Sequence, residues 1–173
     1  EIVHNMQNRI GISSGQMVTG NMGSESRMNY TMMGDNVNTA ARLESSAKQY
    51  GIYIQIADST YQPVKDKVVV RDLDNVRVMG KNEPVKVWEL ISEKGQEPEQ
   101  YKKILPAYHE ALDLYKNQEW TKAIEAFKAS DDLEDMFGGR KTNPSRIYIP
   151  RCEHYLDNPP GDDWDGVWTL TSK

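Results

Sequence analysis

The sequence predicts an α+β fold: a strand-rich first region with one strong helix, then a helical hairpin and an irregular tail. Three observations carry this. Residues 8–92 fall into short apolar runs, several of them alternating, punctuated by glycine. Residues 36–49 and 101–137 place their apolar residues at helical spacing. Residues 138–173 are rich in Pro, Gly and Trp.

Taken in order, "NRIGISSG" (8–15) alternates Ile10 and Ile12 and stops at Gly15. "QMVTGNMG" (16–23) and "RMNYTMMG" (27–34) are two further strands, joined by "SES" as a hairpin turn. Gly34 breaks the strand, Asp35 serves as an N-cap for residues 36–49, and Gly51 ends that helix. "IYIQIA" (52–57) is a strand, and "STYQPVKD" is a short helix or turn limited by Pro63. "KVVVRDLD" (67–74), "NVRVMG" (75–80) and "PVKVWELIS" (84–92) complete the strands. The order β-β-β-α-β-β-β describes a sheet with at least one helix packed on it.

The polar stretch "SEKGQEPEQ" (92–100) supplies a linker over 93–100. Beyond it, Ile104, Tyr108, Leu112 and Tyr115, then Trp120, Ala123, Ile124 and Phe127, mark two helices. Ala111, Leu114, Ala123, Phe127 and Ser130 are placed as in one tetratricopeptide repeat. A single repeat cannot form a solenoid, so the hairpin is expected to pack on a neighbour. The organisation is therefore 1–92, 93–100, 101–137 and 138–173, with the tail's Trp164 and Trp168 docked on the hairpin or the sheet.

Composition excludes several classes. With 173 residues and a net charge of −5, the chain offers no nonspecific nucleic-acid surface. Mean hydropathy is −0.74, and no apolar run reaches the roughly 18 residues of a membrane span, so no membrane contact is expected from this segment. Cys152 is the only cysteine, which fits a reducing compartment and rules out an internal disulfide. The chain opens without an initiator Met and is apolar-patterned almost at once, and so reads as a segment of something longer.

Gly15 and Gly20 have phosphate-loop spacing, but Asn21 and Met22 stand where the lysine and hydroxyl belong, so these are strand-bend glycines. Asn38 and Arg42 are one turn apart on one face of the 36–49 helix. They are either solvated surface or an amide and a planar guanidinium converging on phosphate, which the helix start also suits. Thr31 is either a β-branched strand residue or a hydroxyl able to accept from an amino group. Cys152 and His154, read as extended chain, lack the partners of a zinc or nucleophile site. "DDLEDMF" (131–137) lacks the Gly and terminal Glu of a calcium loop and reads as a solvated helix end.

Four blocks carry a resemblance. "RIGISSG" (9–15), "VTGNMGS" (18–24), "YTMMGDNVNTAARLE" (30–44) and "VRVMGKNEPVKVWEL" (76–90) resemble, in order and spacing, the C-terminal half of class III nucleotidyl cyclase catalytic domains. The tail "YLDNPPGDDWDGVWTLTSK" looks like the extension of some bacterial adenylate cyclases. The resemblance implies a partial ferredoxin-like cyclase fold that works as a homodimer and turns ATP into 3′,5′-cyclic AMP and pyrophosphate. It implies Asn38 and Arg42 as transition-state residues and Thr31 as the adenine reader, with Lys81 a candidate phosphate contact away from the family's matching position. Two Mg²⁺ or Mn²⁺ ions would be held by carboxylates of the partner protomer, upstream of Glu1.

Asp35, Asp58, Asp66, Asp72 and Asp74 do not stand where the family puts those carboxylates. The chain alone is therefore expected to be inactive. Met79 occupies the place of the family's phosphate-binding lysine, with Arg77 and Lys81 nearby. Two alternatives follow: a degenerate cyclase fold kept for regulation or dimerisation, and a protein-binding helical module. A cytoplasmic location is implied, with any membrane anchor in upstream segments.

Overall fold

The computed structural model describes residues 8–76, 84–134, 141–161 and 163–168. Strands β1 (Ile10–Ile12), β4 (Ile54–Ala57), β6 (Val85–Glu93) and β5 (Val68–Val76) lie in that order in one sheet. β1 runs parallel to β4, and the other pairs are antiparallel. β2 (Val18–Ser24) and β3 (Arg27–Met33) form a separate two-stranded hairpin, with Ser24 opposite Arg27 across the tight turn. The single sheet suggested by the strand order is thus two sheets. The span read as two strands over 67–80 is one strand as far as Val76, kinked by register shifts at Val69/Val70 and Asp72/Asp74. Residues 77–83, with Arg77, Met79 and Lys81, lie outside the described residues.

Helix α1 (Asp35–Tyr50) buries Thr39, Leu43, Ala47 and Tyr50, a stripe at helical spacing. Gly34, not Asp35, is its N-cap; Asp35 opens the first turn, where its charge meets the positive end of the helix dipole. Two glycines let α1 sit as it does. A Cβ on Gly11 of β1 would lie 2.1 Å from the Ala40 carbonyl, so only glycine lets the helix lie directly on that strand. Gly51 ends the helix at φ 65, and a Cβ there would lie 1.9 Å from the Thr142 carbonyl. Helix α2 (Asp58–Tyr61) runs into a 3₁₀ turn at Gln62–Val64, so Pro63 sits within the helical path rather than ending it. Asp58 fastens α2 to β6 by accepting from Trp88 Nε1 at 3.0 Å.

Helices α3 (Tyr101–Lys116) and α4 (Trp120–Glu134) form the expected hairpin. The tail, however, is not irregular throughout: Pro144–Asp157 form a third helix, α5. Asn143 caps it by accepting from the Arg146 N–H at 3.1 Å, and Pro144 takes the first-turn position where its missing N–H costs nothing. α5 covers the apolar face of the hairpin with Tyr148, Cys152 and Tyr155, packed on Tyr108, Tyr115 and Phe127. Trp164 and Trp168 close over the same cluster. A second core, under α1, joins Leu43, Ala47 and Ile52 to Leu73 and Val87, and Ile147 of α5 reaches it.

Two buried ionic knots tie the helices to β5. Arg71 is fully buried. It donates to Glu89 of β6 (Nε, 2.7 Å) and to Glu134 at the end of α4 (Nη1, 2.5 Å), with the Tyr108 ring 5.0 Å away. The acidic run at 131–137 is therefore not simply a solvated end: Glu134 is buried, and Asp131 binds Arg146 at 2.8 Å. In the second knot, Asp74 accepts from Tyr50 of α1 and from Arg151 of α5, both at 2.7 Å. Tyr148 donates to the carbonyl of Leu73, the residue at the kink in β5.

Removing the guanidinium would leave two carboxylates buried face to face. Arg71→Met is expected to destabilise the chain by about 3–5 kcal/mol, read from urea denaturation. His109 of α3 gives a pH dependence. Its Nε2 accepts from the Asp72 N–H at 3.4 Å. Burial pushes its pKa below the ordinary 6.5, against the pull of Asp72 and Asp113, with Arg71 and Lys116 pushing the same way as burial. The folded chain therefore binds this proton less readily than the unfolded one. The contribution is fully present above the unfolded value and is lost as pH falls below it. The urea midpoint is expected to fall between about pH 7 and about pH 5, and His109→Gln to flatten that slope.

Candidate active site

The buried stripe of α1 decides what its other face can do. Residues 38 and 42 each precede a buried position, 39 and 43, by one residue, or about 100° of helical turn. Asn38 and Arg42 are therefore exposed, on one side of the helix and one turn apart. β3 leads into α1 through Gly34 alone, so the hairpin and the helix face are adjacent in the chain. Thr31 is exposed on β3, opposite Gly20 in the register. The structure thus gathers Asn38 and Arg42 on one surface and sets Thr31 on the neighbouring hairpin. Lys81 lies outside the described residues.

A cleft of about 340 Å³ opens beside a different face of α1, lined in part by Ser13, Asn36, Thr39, Asp58 and Lys86. Asn36 is engaged there: it accepts from Ser13 Oγ at 3.2 Å and donates to the Gln16 carbonyl at 3.1 Å. Sequence reasoning passed over Asn36. Its position two residues before Asn38 in "DNVN" already put it on another side of the helix. On another side of α1, Glu44 pairs with Arg9 at 3.5 Å, both half-exposed.

The described residues do not fit a metal centre. No group of three or more His, Cys, Asp or Glu converges among them. Asp58 and Asp74 accept from Trp88 and from Tyr50 and Arg151, while Asp72 binds Lys86 at 3.1 Å and Lys116 at 3.0 Å. Each is committed to a separate place in the fold. Cys152 also differs from its extended reading. The α5 helix turns it into the core, where burial pushes its thiol up to about 12, while His154 faces out. A thiol so held is neither nucleophile nor ligand at neutral pH.

The β2–β3 hairpin is apolar and uncovered. Val18, Met28, Tyr30, Met32 and Met33 are exposed, Tyr30 by 73%. In a strand successive side chains point to opposite faces. Tyr30, Met32 and Met28 share one face and Met33 is on the other, so both sides of this arm carry exposed apolar side chains.

Comparison with known proteins bears on the family of the chain. The family model described as adenylate and guanylate cyclase catalytic domain matches residues 2–92. The terminal-differentiation-specific adenylate cyclase of Dictyostelium discoideum is 35% identical over 147 residues, covering 83% of this chain and 7% of that protein. Adenylate cyclase 1 of Rhizobium meliloti is 35% identical over 83 residues, covering 48% of this chain and 12% of its own length. Among solved structures, the adenylyl cyclase CyaB from P. aeruginosa matches with 33% identity and a TM-score of 0.44, over 52% of this chain and 45% of that one. The chain spans only 7% and 12% of the length of these two curated relatives.

Proposed function

The chain belongs to the adenylate and guanylate cyclase catalytic domain family, and on that footing we propose that it carries the C-terminal half of an adenylate cyclase domain, residues 1–92, followed by a helical extension. The whole protein converts ATP to 3′,5′-cyclic AMP and pyrophosphate for cyclic-nucleotide signalling in the cytoplasm. The observation that supports this best is the pairing of Asn38 and Arg42 on the exposed face of α1, beside an arm with exposed apolar side chains.

In the reaction the ribose 3′-oxygen attacks the α-phosphorus, the bond to the bridging oxygen breaks, and pyrophosphate leaves. Negative charge shifts onto the α-phosphate oxygens. Arg42 carries a permanent planar charge suited to that group, and it acts where charge develops rather than where substrate already has it. Asn38, one turn earlier, orients the ribose. Thr31 offers its hydroxyl oxygen to the adenine amino group. Asn38, Arg42 and Thr31 are exposed on their own protomer, and the second wall of the site is a second copy of the chain's protein, brought in by the β2–β3 arm. Ligands for Mg²⁺ or Mn²⁺ are absent among the described residues, and no step is routed through a metal here.

A second reading is favoured by Met79, which puts a thioether where the family binds phosphate with lysine. On that reading the cyclase fold is kept for dimerisation and regulation. Assaying the full-length protein and its Met79→Lys variant for cyclic AMP separates the two.

In the full-length protein, Arg42→Ala is expected to lower kcat by roughly 10²–10³-fold with an unchanged unfolding midpoint. Undiminished turnover would remove Arg42 from the mechanism. Tyr30→Asp is expected to convert dimer to monomer in sedimentation while circular dichroism stays as in the wild type. A variant that still sediments as a dimer would move the interface away from the arm.

A further inference from the structure

Helix α1 is tied at its start through Asn36 and packs on the sheet through Leu43 and Ala47, and two of the contacts at its far end involve the extension. Its middle rests on Gly11 of β1. Its last residue, Tyr50, donates its hydroxyl to Asp74 Oδ2 at 2.7 Å. Arg151 of α5 donates to that same oxygen at 2.7 Å, while the other carboxylate oxygen accepts from the Asn75 N–H at 2.8 Å. Next along the chain, Gly51 lies against the Thr142 carbonyl, just ahead of α5.

Asp74 is well placed to hold these groups. β5 shifts register between Asp72 and Asp74, and such an irregularity re-aims side chains. Leu73 at the kink gives its carbonyl to Tyr148 of α5, so the extension grips the strand where Asp74 turns inward. Asp74 is 7% exposed and Arg151 9%, which shields their contact from solvent and salt. Arg151 also lies 5.0 Å from the Tyr148 ring and 5.4 Å from the Trp168 ring. The cation thus joins the tail, α5, β5 and the end of α1.

We infer that Asp74 and Arg151 are positioning residues for α1: the C-terminal extension sets where the helix presents Asn38 and Arg42, by way of Tyr50. This rests on the reading that Asn38 and Arg42 act on the nucleotide. A helix moves as a rod, and Arg42 lies eight residues from Tyr50, or about 12 Å along the axis. Loosening the far end therefore displaces the reacting face without touching it. Misplacement of about 1 Å at a reacting centre costs roughly 100-fold in rate.

The test uses the full-length protein with Tyr50→Phe, Arg151→Met and Arg151→Lys, reading kcat and KM for ATP together with amide hydrogen exchange over residues 36–50. Tyr50→Phe removes only the link from α1 to Asp74 and leaves the extension seated. The proposal expects Tyr50→Phe and Arg151→Met to lower kcat roughly 10- to 100-fold with little change in KM. Exchange should rise over 36–50 but not over β4 and β6, and Arg151→Lys should recover most of kcat. Unchanged kcat and unchanged α1 exchange in Tyr50→Phe would overturn it. So would exchange rising equally across the sheet in both Tyr50→Phe and Arg151→Met, which would make the contact merely structural. Should the wild type form no cyclic nucleotide, the exchange measurement still decides the coupling, and the cyclase reading is what falls.

Discussion

A guanidinium without water fixes most of this molecule. Arg71 is fully buried, and burial alone opposes its charge; Glu89 and Glu134 more than reverse that and raise its pKa further. Such a group tolerates little freedom, because any slip leaves a bare charge in a poor solvent. Arg71 and Glu89 are direct partners across β5 and β6, so the ion pair and the ladder enforce the same register. Glu134 is 63 residues away from Arg71 in sequence, and its bond forces the end of α4 onto the strand. Everything C-terminal to the sheet is then located relative to it. The gain is in uniqueness more than in stability, since a well-packed apolar trio of similar volume would hold the same space without the desolvation penalty.

What remains uncovered follows from what is covered. α1 spends one face on the core and one on Asn36, which is tied to the turn after β1. The extension occupies the helix's C-terminal end. The side with Asn38 and Arg42 and the neighbouring hairpin are left open to solvent. That surface combines a cation, an amide and an apolar arm.

The sequence announced the strands, α1 and the α3–α4 pair through local signals: alternation, helical spacing and the glycines at 34 and 51. That Asn38 and Arg42 share a helix face was legible for the same reason, while the roles given to them and to Thr31 came from the resemblance of the 30–44 block, and Lys81 stands outside that block. The hidden parts were those set by distant partners. Nothing near Arg71 names Glu134, although its place between Val69 and Leu73 at alternate positions of the strand was a sign of burial. Helix α5 was masked by Pro144 and Pro150 in a Pro-rich tail. Pro144 stands at the first turn after Asn143, where proline favours a helix rather than ending one. The split into two sheets escaped notice because alternation reports a strand but not its partner.

Four methionines, Met17, Met28, Met32 and Met33, are exposed on or beside the β2–β3 arm. A thioether is soft and adapts to whatever packs on it, which suits a face that must meet another surface. It is also the side chain most readily turned polar by peroxide, through conversion to a sulfoxide. An arm built from such residues is greasy only while its sulfur stays reduced. The oxidation state of four sulfur atoms thus becomes a condition on whether this face can be buried at all.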